Sequence, residues 1–223
     1  DRKLTKINIK EWEEAGRPEI NKIFVDKKNT LWIGSTRGLF TYDLNDKRTE
    51  RKMLPDTKHP ADEINSFFFD SDNILWIGTY NSGVFMANIN SGRIQKLETW
   101  VGFNRSETIR AICEDKQGIL WFGTRGGLVA YNKETLDYTT FLRDENDNLS
   151  LSLNSILSLC VDTQGNMWIG TRGGINYRDI DKQAFIHIHD SHNDDRYLNN
   201  SEIYCFLFNE NDLLIGTESG GVN

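Results

Sequence analysis

Five places along the chain carry side chains able to bind a polar ligand, and all five fall at the same point of a recurring pattern. Directly after Ile-Gly-Ser, Ile-Gly-Thr or Phe-Gly-Thr stand Thr36-Arg37, Tyr80-Asn81, Arg125, Arg172 and Glu218. A guanidinium can clasp an acidic sugar through paired N–H donors, and a tyrosine ring can stack on a pyranose. The same arginines admit a structural account, in which they bridge neighbouring repeats, and their recurrence favours it. Trp12 and Trp100 lie eight and nine residues before Ile20 and Ile109, in equivalent segments. An exposed indole there points to binding, while packing of its own loop serves equally well.

Other chemistry finds less support. His187, His189 and His192 cluster and Asp190 follows, but nothing completes a closed metal set, so no metal is expected. Asp144, Asn146, Asp147 and Asn148 lack the glycine and closing glutamate of a calcium loop and read as a solvated turn. Cys113, Cys160 and Cys205 form no CxxC pair; Cys113 and Cys160 take the same place in two repeats and read as small buried thiols. There is no GxSxG, no plausible triad order and no carboxylate pair brought together by spacing, so no catalytic residue and no cofactor is assigned.

The elements that must position these residues are repeats. LWIGSTRGLFTYD from Leu31, LWIGTYNSGVFMAN from Leu75, LWFGTRGGLVAYN from Leu120, MWIGTRGGINYRD from Met167 and LLIGTESGGVN from Leu213 are one motif. Its glycine recurs at Gly34, Gly78, Gly123, Gly170 and Gly216, at spacings of 44, 45, 47 and 46 by subtraction. That period suits one four-stranded blade. In each unit an apolar strand (Ile20 to Val25, Ile64 to Phe69, Ile109 to Glu114, Ile156 to Val161, Ile203 to Phe208) ends at Asp26, Asp70, Asp115, Asp162 or Asn209, followed by a polar hairpin. The Trp-containing second strand, a glycine-rich bend, an apolar third strand and a polar fourth strand complete it. Trp32, Trp76, Trp121 and Trp168 share one position and predict a wedge between blades, each burying on the order of 200 Å². Leu214 takes that place in the fifth repeat and predicts a weaker interface there. Apolarity on both faces of the first strand and Lys, Arg, Gln and His on the fourth predict that first strands are innermost.

The fold expected is therefore all-β: a β-propeller of four-stranded antiparallel blades, partial, with about five of them. Residues 1–223 form a single propeller segment, with repeats at about 20–63, 64–108, 109–155, 156–202 and an incomplete 203–223. Residues 1–19 supply an outer strand of a preceding or closing blade, through the alternating Lys3 to Ile9, and Glu11 to Ala15 form at most one helical turn. The segment is expected to close through Lys3 to Ile9 or to associate with another copy or with remaining blades. With 33 acidic against 26 basic residues the net charge is −7, and no Lys/Arg cluster suits nucleic acid. No apolar stretch approaches a membrane span, so a membrane is reached only through regions outside the segment.

The apolar strand, Asp, turn glycine, LWIGT, glycine pair and apolar third strand resemble the two-component regulator propeller repeat, found in extracytoplasmic sensor regions of bacterial hybrid two-component systems. Phe141 to Thr171, FLRDENDNLSLSLNSILSLCVDTQGNMWIGT, matches it best, and the likeness runs over roughly residues 20 to 222. Leu214 for Trp, Asn209 for Asp, and Asn29 and Asn73 for the turn glycine depart from the pattern. The resemblance implies a periplasmic ligand-sensing module that perceives an oligosaccharide, without enzymatic activity, ahead of a membrane span and a cytoplasmic kinase. It transfers no binding residue, because the recurring residues hold the fold. A propeller lyase of the streptogramin-lyase type or another glycan-active enzyme is the alternative, and a protein-interaction scaffold the next.

Overall fold

The computed structural model describes residues 9–57, 62–98, 108–182, 184–188, 198–209 and 212–223. It contains five antiparallel sheets in chain order. The first blade is β1 (Ile20–Val25), β2 (Thr30–Ser35), β3 (Gly38–Asp43) and β4 (Thr49–Lys52); the second is β5 (Ile64–Phe69), β6 (Ile74–Thr79), β7 (Val84–Asn88) and β8 (Ile94–Lys96). The third is β9 (Ile109–Glu114), β10 (Ile119–Thr124), β11 (Gly127–Asn132) and β12 (Tyr138–Phe141); the fourth is β13 (Ile156–Val161), β14 (Met167–Thr171), β15 (Gly174–Arg178) and β16 (Phe185–Ile188). The fifth holds β17 (Ile203–Asn209), β18 (Asp212–Thr217) and β19 (Gly221–Val222) among the described residues. Each sheet meanders, and the first strands β1, β5, β9, β13 and β17 contact one another in succession, which places them around the axis of a β-propeller.

The hairpins close as their sequences require. Asn29 and Asn73 take positive φ values of 62° and 64°, the conformation that Gly118 and Gly165 adopt in later blades, so the substitutions leave the turns regular. Each closing aspartate does more than turn the chain. Asp70 Oδ1 accepts the backbone N–H groups of Asp72 and Ile74, both at 2.9 Å, while Oδ2 accepts the Trp76 indole N–H at 2.7 Å. Asp26 with Trp32, Asp115 with Trp121 and Asp162 with Trp168 repeat the bond at 2.9, 2.7 and 3.2 Å. A buried indole N–H needs a partner, and the first hairpin residue supplies it six positions upstream. In the fifth repeat Asn209 and Leu214 depart from Asp and Trp together.

Cores form between blades. Trp32 and Leu39 of the first pack with Ile64, Leu75, Ile77 and Phe85 of the second. Trp76 and Val84 pack with Ile109, Leu120, Phe122 and Tyr131 of the third. Trp121, Cys113 and Leu128 pack with Ile156, Met167, Ile169 and Phe185 of the fourth. The recurrent glycine permits this: a Cβ on Gly34, Gly78 or Gly123 would lie 2.6, 2.7 or 2.6 Å from Cγ2 of Ile64, Ile109 or Ile156 in the next blade, and one on Gly170 would lie 2.7 Å from the Ile203 carbonyl oxygen. At Gly216 the nearest group is Cys205 of the same blade.

Three expectations require correction. The first strands are not apolar on both faces: Ile64, Ile109, Ile156 and Ile203 are fully buried, but the residue directly after each is half-buried or exposed, and the second and third strands carry most of the core. An axial strand turns one face towards the central opening, whereas the middle strands are covered on both sides. Trp168 is half-buried where Trp32, Trp76 and Trp121 are buried, because β17 to β19 cover less of it and Leu214 is itself 38% exposed. Cys160 is half-buried for the same reason, while Cys113 is buried. Of the Lys3 to Ile9 stretch only Ile9 lies among the described residues. It packs with Trp12 and Ala15 of the helical turn α1 (Lys10–Glu14) on Ile33, Phe40 and Tyr42, which ties this segment to the first blade.

Candidate functional site

The frame leaves one residue per blade out of register. The first residue of each axial strand pairs with the Ser or Thr that ends the second strand: Ile20 with Ser35, Ile64 with Thr79, Ile109 with Thr124, Ile156 with Thr171, Ile203 with Thr217. The third residue pairs with the recurrent glycine: Lys22 with Gly34, Ser66 with Gly78, Ala111 with Gly123, Ser158 with Gly170, Cys205 with Gly216. Two residues advance on one strand where one advances on the other, so Asn21, Asn65, Arg110, Leu157 and Tyr204 form a β-bulge in every blade. A bulge re-aims its side chain. Asn65 and Leu157 are half-buried between buried neighbours, and Tyr204 is 45% exposed. Asn21 Nδ2 donates to Glu63 Oε1 and the Ile64 carbonyl at 3.0 and 3.1 Å, and Arg110 Nη1 donates to Ser155 Oγ at 2.9 Å. In both cases the partner leads the axial strand of the next blade.

The bends between second and third strands lie at this same end. Tyr80 N–H donates to the Glu63 carbonyl at 2.9 Å, Arg125 N–H to Thr108 at 3.3 Å and Glu218 N–H to Glu202 at 3.2 Å. Thr108 Oγ1 donates to the Tyr80 carbonyl of the preceding blade at 2.7 Å. The bend itself is held by its Ser or Thr: Thr124 Oγ1 donates to the Gly127 carbonyl and accepts the Gly126 N–H. Bend and bulge residues therefore share the axial mouth.

Register sets Arg125, Arg172 and Tyr80 at the same end as Arg110: Arg125 follows the Thr124 paired with Ile109, the Tyr80 carbonyl is held by Thr108, and the Ser155 that Arg110 bonds precedes the Ile156 paired with Thr171. Burial comes first, then the like charges of Arg172 and Arg125, and together they hold Arg110 below the usual arginine range against the opposing influence of Tyr204 and Tyr80. Arg172 Nε stands 4.0 Å from Glu202 Oε2, a loose pair between the fourth and fifth blades. Glu218 lies beside Glu202, whose hydrogen bond and charge push its carboxyl up. Asn81 is exposed beside Tyr80, with its N–H on Asp62 Oδ1 at 3.2 Å. Arg37 stands apart: its Nη1 donates to the Ala15 carbonyl at the end of α1 and its own carbonyl accepts Arg51 Nη2, both at 3.1 Å. Trp12 packs edge-on against Phe40 at 5.4 Å. Trp100 lies outside the described residues. Sequence reasoning missed Arg110, Tyr204 and Glu202. The readable signal was the changing residue between a constant Ile and, in four blades, a small residue.

The other candidates have structural partners. Asp70, Asp72 and Glu114 are close enough to hold a cation, but the Lys133 ammonium lies within 3.4 Å of all three and fills the place. His187 Nε2–H donates to the Ser150 carbonyl at 2.8 Å, and His189 and His192 lie outside the described residues. Two clefts of about 520 and 630 Å³ are lined by residues of the Asp26–Trp32 and Asp162–Trp168 pairs and by outer strands, away from the mouth.

Residues 58–81, 100–126 and 150–173 each match the two component regulator propeller family model. Among curated proteins none matches the chain. Among solved structures, one similar domain is the extracellular domain of BT4673 of B. thetaiotaomicron, described as a hybrid two component system. It has a TM-score of 0.76 and 24% identity over 92% of this chain and 26% of that one. PorZ, a surface component of the type-IX secretion system of Porphyromonas gingivalis, gives 0.68 and 17% over 92% and 31%. Virginiamycin B lyase of Staphylococcus aureus gives 0.62 and 12% over 92% and 68%. At these identities the likeness is one of fold, and the chain spans about a quarter to a third of the first two.

Proposed function

The chain carries repeats of the two component regulator propeller family, and we propose that it is the ligand-sensing propeller of a hybrid two-component system, displayed in the periplasm, where it recognises an oligosaccharide at its axial mouth. One observation carries this reading. Four blades repeat the residues that pack them, yet the bulge and bend positions vary along the chain: Asn21, Asn65, Arg110, Leu157, Tyr204 at the one, and Thr36, Tyr80, Arg125, Arg172, Glu218 at the other. A constant frame that presents ten such positions at one end, filled by Asn, Arg, Leu, Tyr, Thr and Glu, supports recognition of a particular ligand.

Guanidiniums and carboxylates can bond sugar hydroxyls, and Tyr80 and Tyr204, 40% and 45% exposed, offer ring faces for pyranose stacking. Calorimetric titration of the protein with neutral and acidic oligosaccharides tests the reading. Saturable binding that falls at least tenfold on Tyr204→Ala, with the melting temperature unchanged, is expected. Absence of binding to every saccharide, or product release from any, overturns it.

A further inference from the structure

We infer that Arg110, Arg125 and Arg172 form an anion subsite, and that the saccharide this mouth takes carries a carboxylate or sulfate group there. The inference rests on the sensing role proposed above and adds the chemical class of the ligand.

Register brings three arginines of two adjacent blades to one end of a chain of net charge −7: Arg125 follows the Thr124 paired with Ile109, and Arg110 donates to Ser155, which precedes the Ile156 paired with Thr171, the residue before Arg172. In such a chain a carboxylate partner is the ordinary neighbour of an arginine, and here partners are scarce among the described residues. Arg110 is half-buried and donates to a neutral hydroxyl, that of Ser155. The Arg125 guanidinium has no hydrogen-bond or ion-pair partner among the described residues. Arg172 shares Glu202 at 4.0 Å, with its side chain 52% exposed. Elsewhere the fold does neutralise a lone cation: Lys133 meets Asp70, Asp72 and Glu114. Cationic groups held close by rigid strands repel one another, and burial of one of them weakens screening by water. An anion between them removes that repulsion.

The type of residue narrows the anion. Guanidinium offers two parallel N–H donors that match the two oxygens of a carboxylate or sulfate, which an ammonium does not. Glu202 and Glu218 stand on the fifth-blade side and Tyr80 and Tyr204 close by. The mouth thus has a cationic side towards the third and fourth blades and acceptors for hydroxyl groups towards the fifth. That polarity suits a sugar with one acidic substituent.

The test titrates the protein with three probes: a galacturonic acid trimer, its neutral methyl ester, and inorganic sulfate alone. The trimer is expected to bind at least tenfold more tightly than its ester, with affinity falling as salt rises, and Arg110→Gln to remove that preference. Arg125→Gln, at an exposed bend position, repeats the experiment without risk to packing, and Arg110→Lys keeps the charge but loses the paired donors. Equal binding of acid and ester, unchanged by Arg110→Gln and Arg125→Gln, overturns the anion subsite while leaving saccharide sensing intact. Sulfate bound in an Arg110-dependent way without either trimer supports the subsite and overturns its use for an acidic saccharide of this kind. No binding of any probe overturns the anion subsite.

Discussion

The bond between Asp70 and Trp76 is the sharpest point at which to test how the blades are held. Asp70 is 4% exposed, and its two oxygens accept three N–H donors at 2.7 to 2.9 Å and the Lys133 ammonium at 3.4 Å. Asp70→Ala strands one buried indole N–H and two half-buried backbone N–H groups. At about 1–3 kcal/mol for each stranded donor, with partial relaxation, the loss is about 3–5 kcal/mol. For a chain of this size that lowers the melting temperature by about 6–20 °C. Asp70→Asn is more informative, because its amide can keep Oδ1 in place but turns an N–H₂ towards the indole N–H. Trp76→Phe removes the opposing donor. The double variant should therefore be more stable than the sum of the single losses by about 1–2 kcal/mol. Urea unfolding of the four proteins, followed by near-UV circular dichroism, measures this. Strict additivity, or a cost below about 1 kcal/mol for Asp70→Ala, would refute the claim that aspartate and tryptophan act as one device. The fifth repeat, where Asn209 and Leu214 replace both partners at once, carries the same double change.

Gly78→Ala places a Cβ 2.7 Å from Ile109 of the next blade and should cost about 1–3 kcal/mol in urea, whereas Gly216→Ala meets only the exposed Cys205 and should cost less. Thiol-reactive dye should label Cys205 first and Cys113 last, because burial, then the charges of Cys160 and Asp115, push the Cys113 thiol far up. Burial alone would raise the Asp162 carboxyl, but hydrogen bonds from Asn166 and Trp168 and from the backbone of Asn166 and Gln164 outweigh it and hold the group low. Its contribution is then fully present above the unfolded value of about 3.9 and lost as pH falls through the lower folded value, so Asp162→Asn should flatten the acid loss of stability below about pH 4.

The regular elements were legible because they obey local rules. The period of Gly34, Gly78, Gly123, Gly170 and Gly216 marked the blades, and the strands begin where the apolar runs do. What the glycines are for was not legible: they make room for an isoleucine some thirty residues later in the chain, a contact between blades that no local pattern announces. The aspartate that closes each hairpin was readable as a turn residue, and its second oxygen, bonded to an indole six residues on, was not. At the mouth, Arg125, Arg172, Tyr80 and Glu218 were found from their place after Ser or Thr. In the first blade Thr36 takes that place, and Arg37, one residue further along the bend, holds α1 because the segment ahead of β1 folds over it. Arg110 and Tyr204 escaped notice because a bulge is a fact of register: strict alternation would set Arg110 on the face opposite its neighbours, within the blade interface.

The bulge follows from packing, and this links fold to function. The recurrent glycine must face the third residue of the axial strand, and the Ser or Thr must face the first, if the isoleucine of the next blade is to seat against the glycine. That requirement leaves the second residue unpaired whatever its type, since Asn, Arg, Leu and Tyr all occupy it. The position is held open by neighbours and contributes little to the core, so it can change without loss of the frame. The bend residue is free for a parallel reason: the Ser or Thr before it forms the turn through its own hydroxyl and the backbone. In the proposed recognition role these positions can therefore vary one blade at a time, and Arg110 shares its end of the axis with Arg125 and Arg172 because the third blade places two changeable residues there and the fourth blade another.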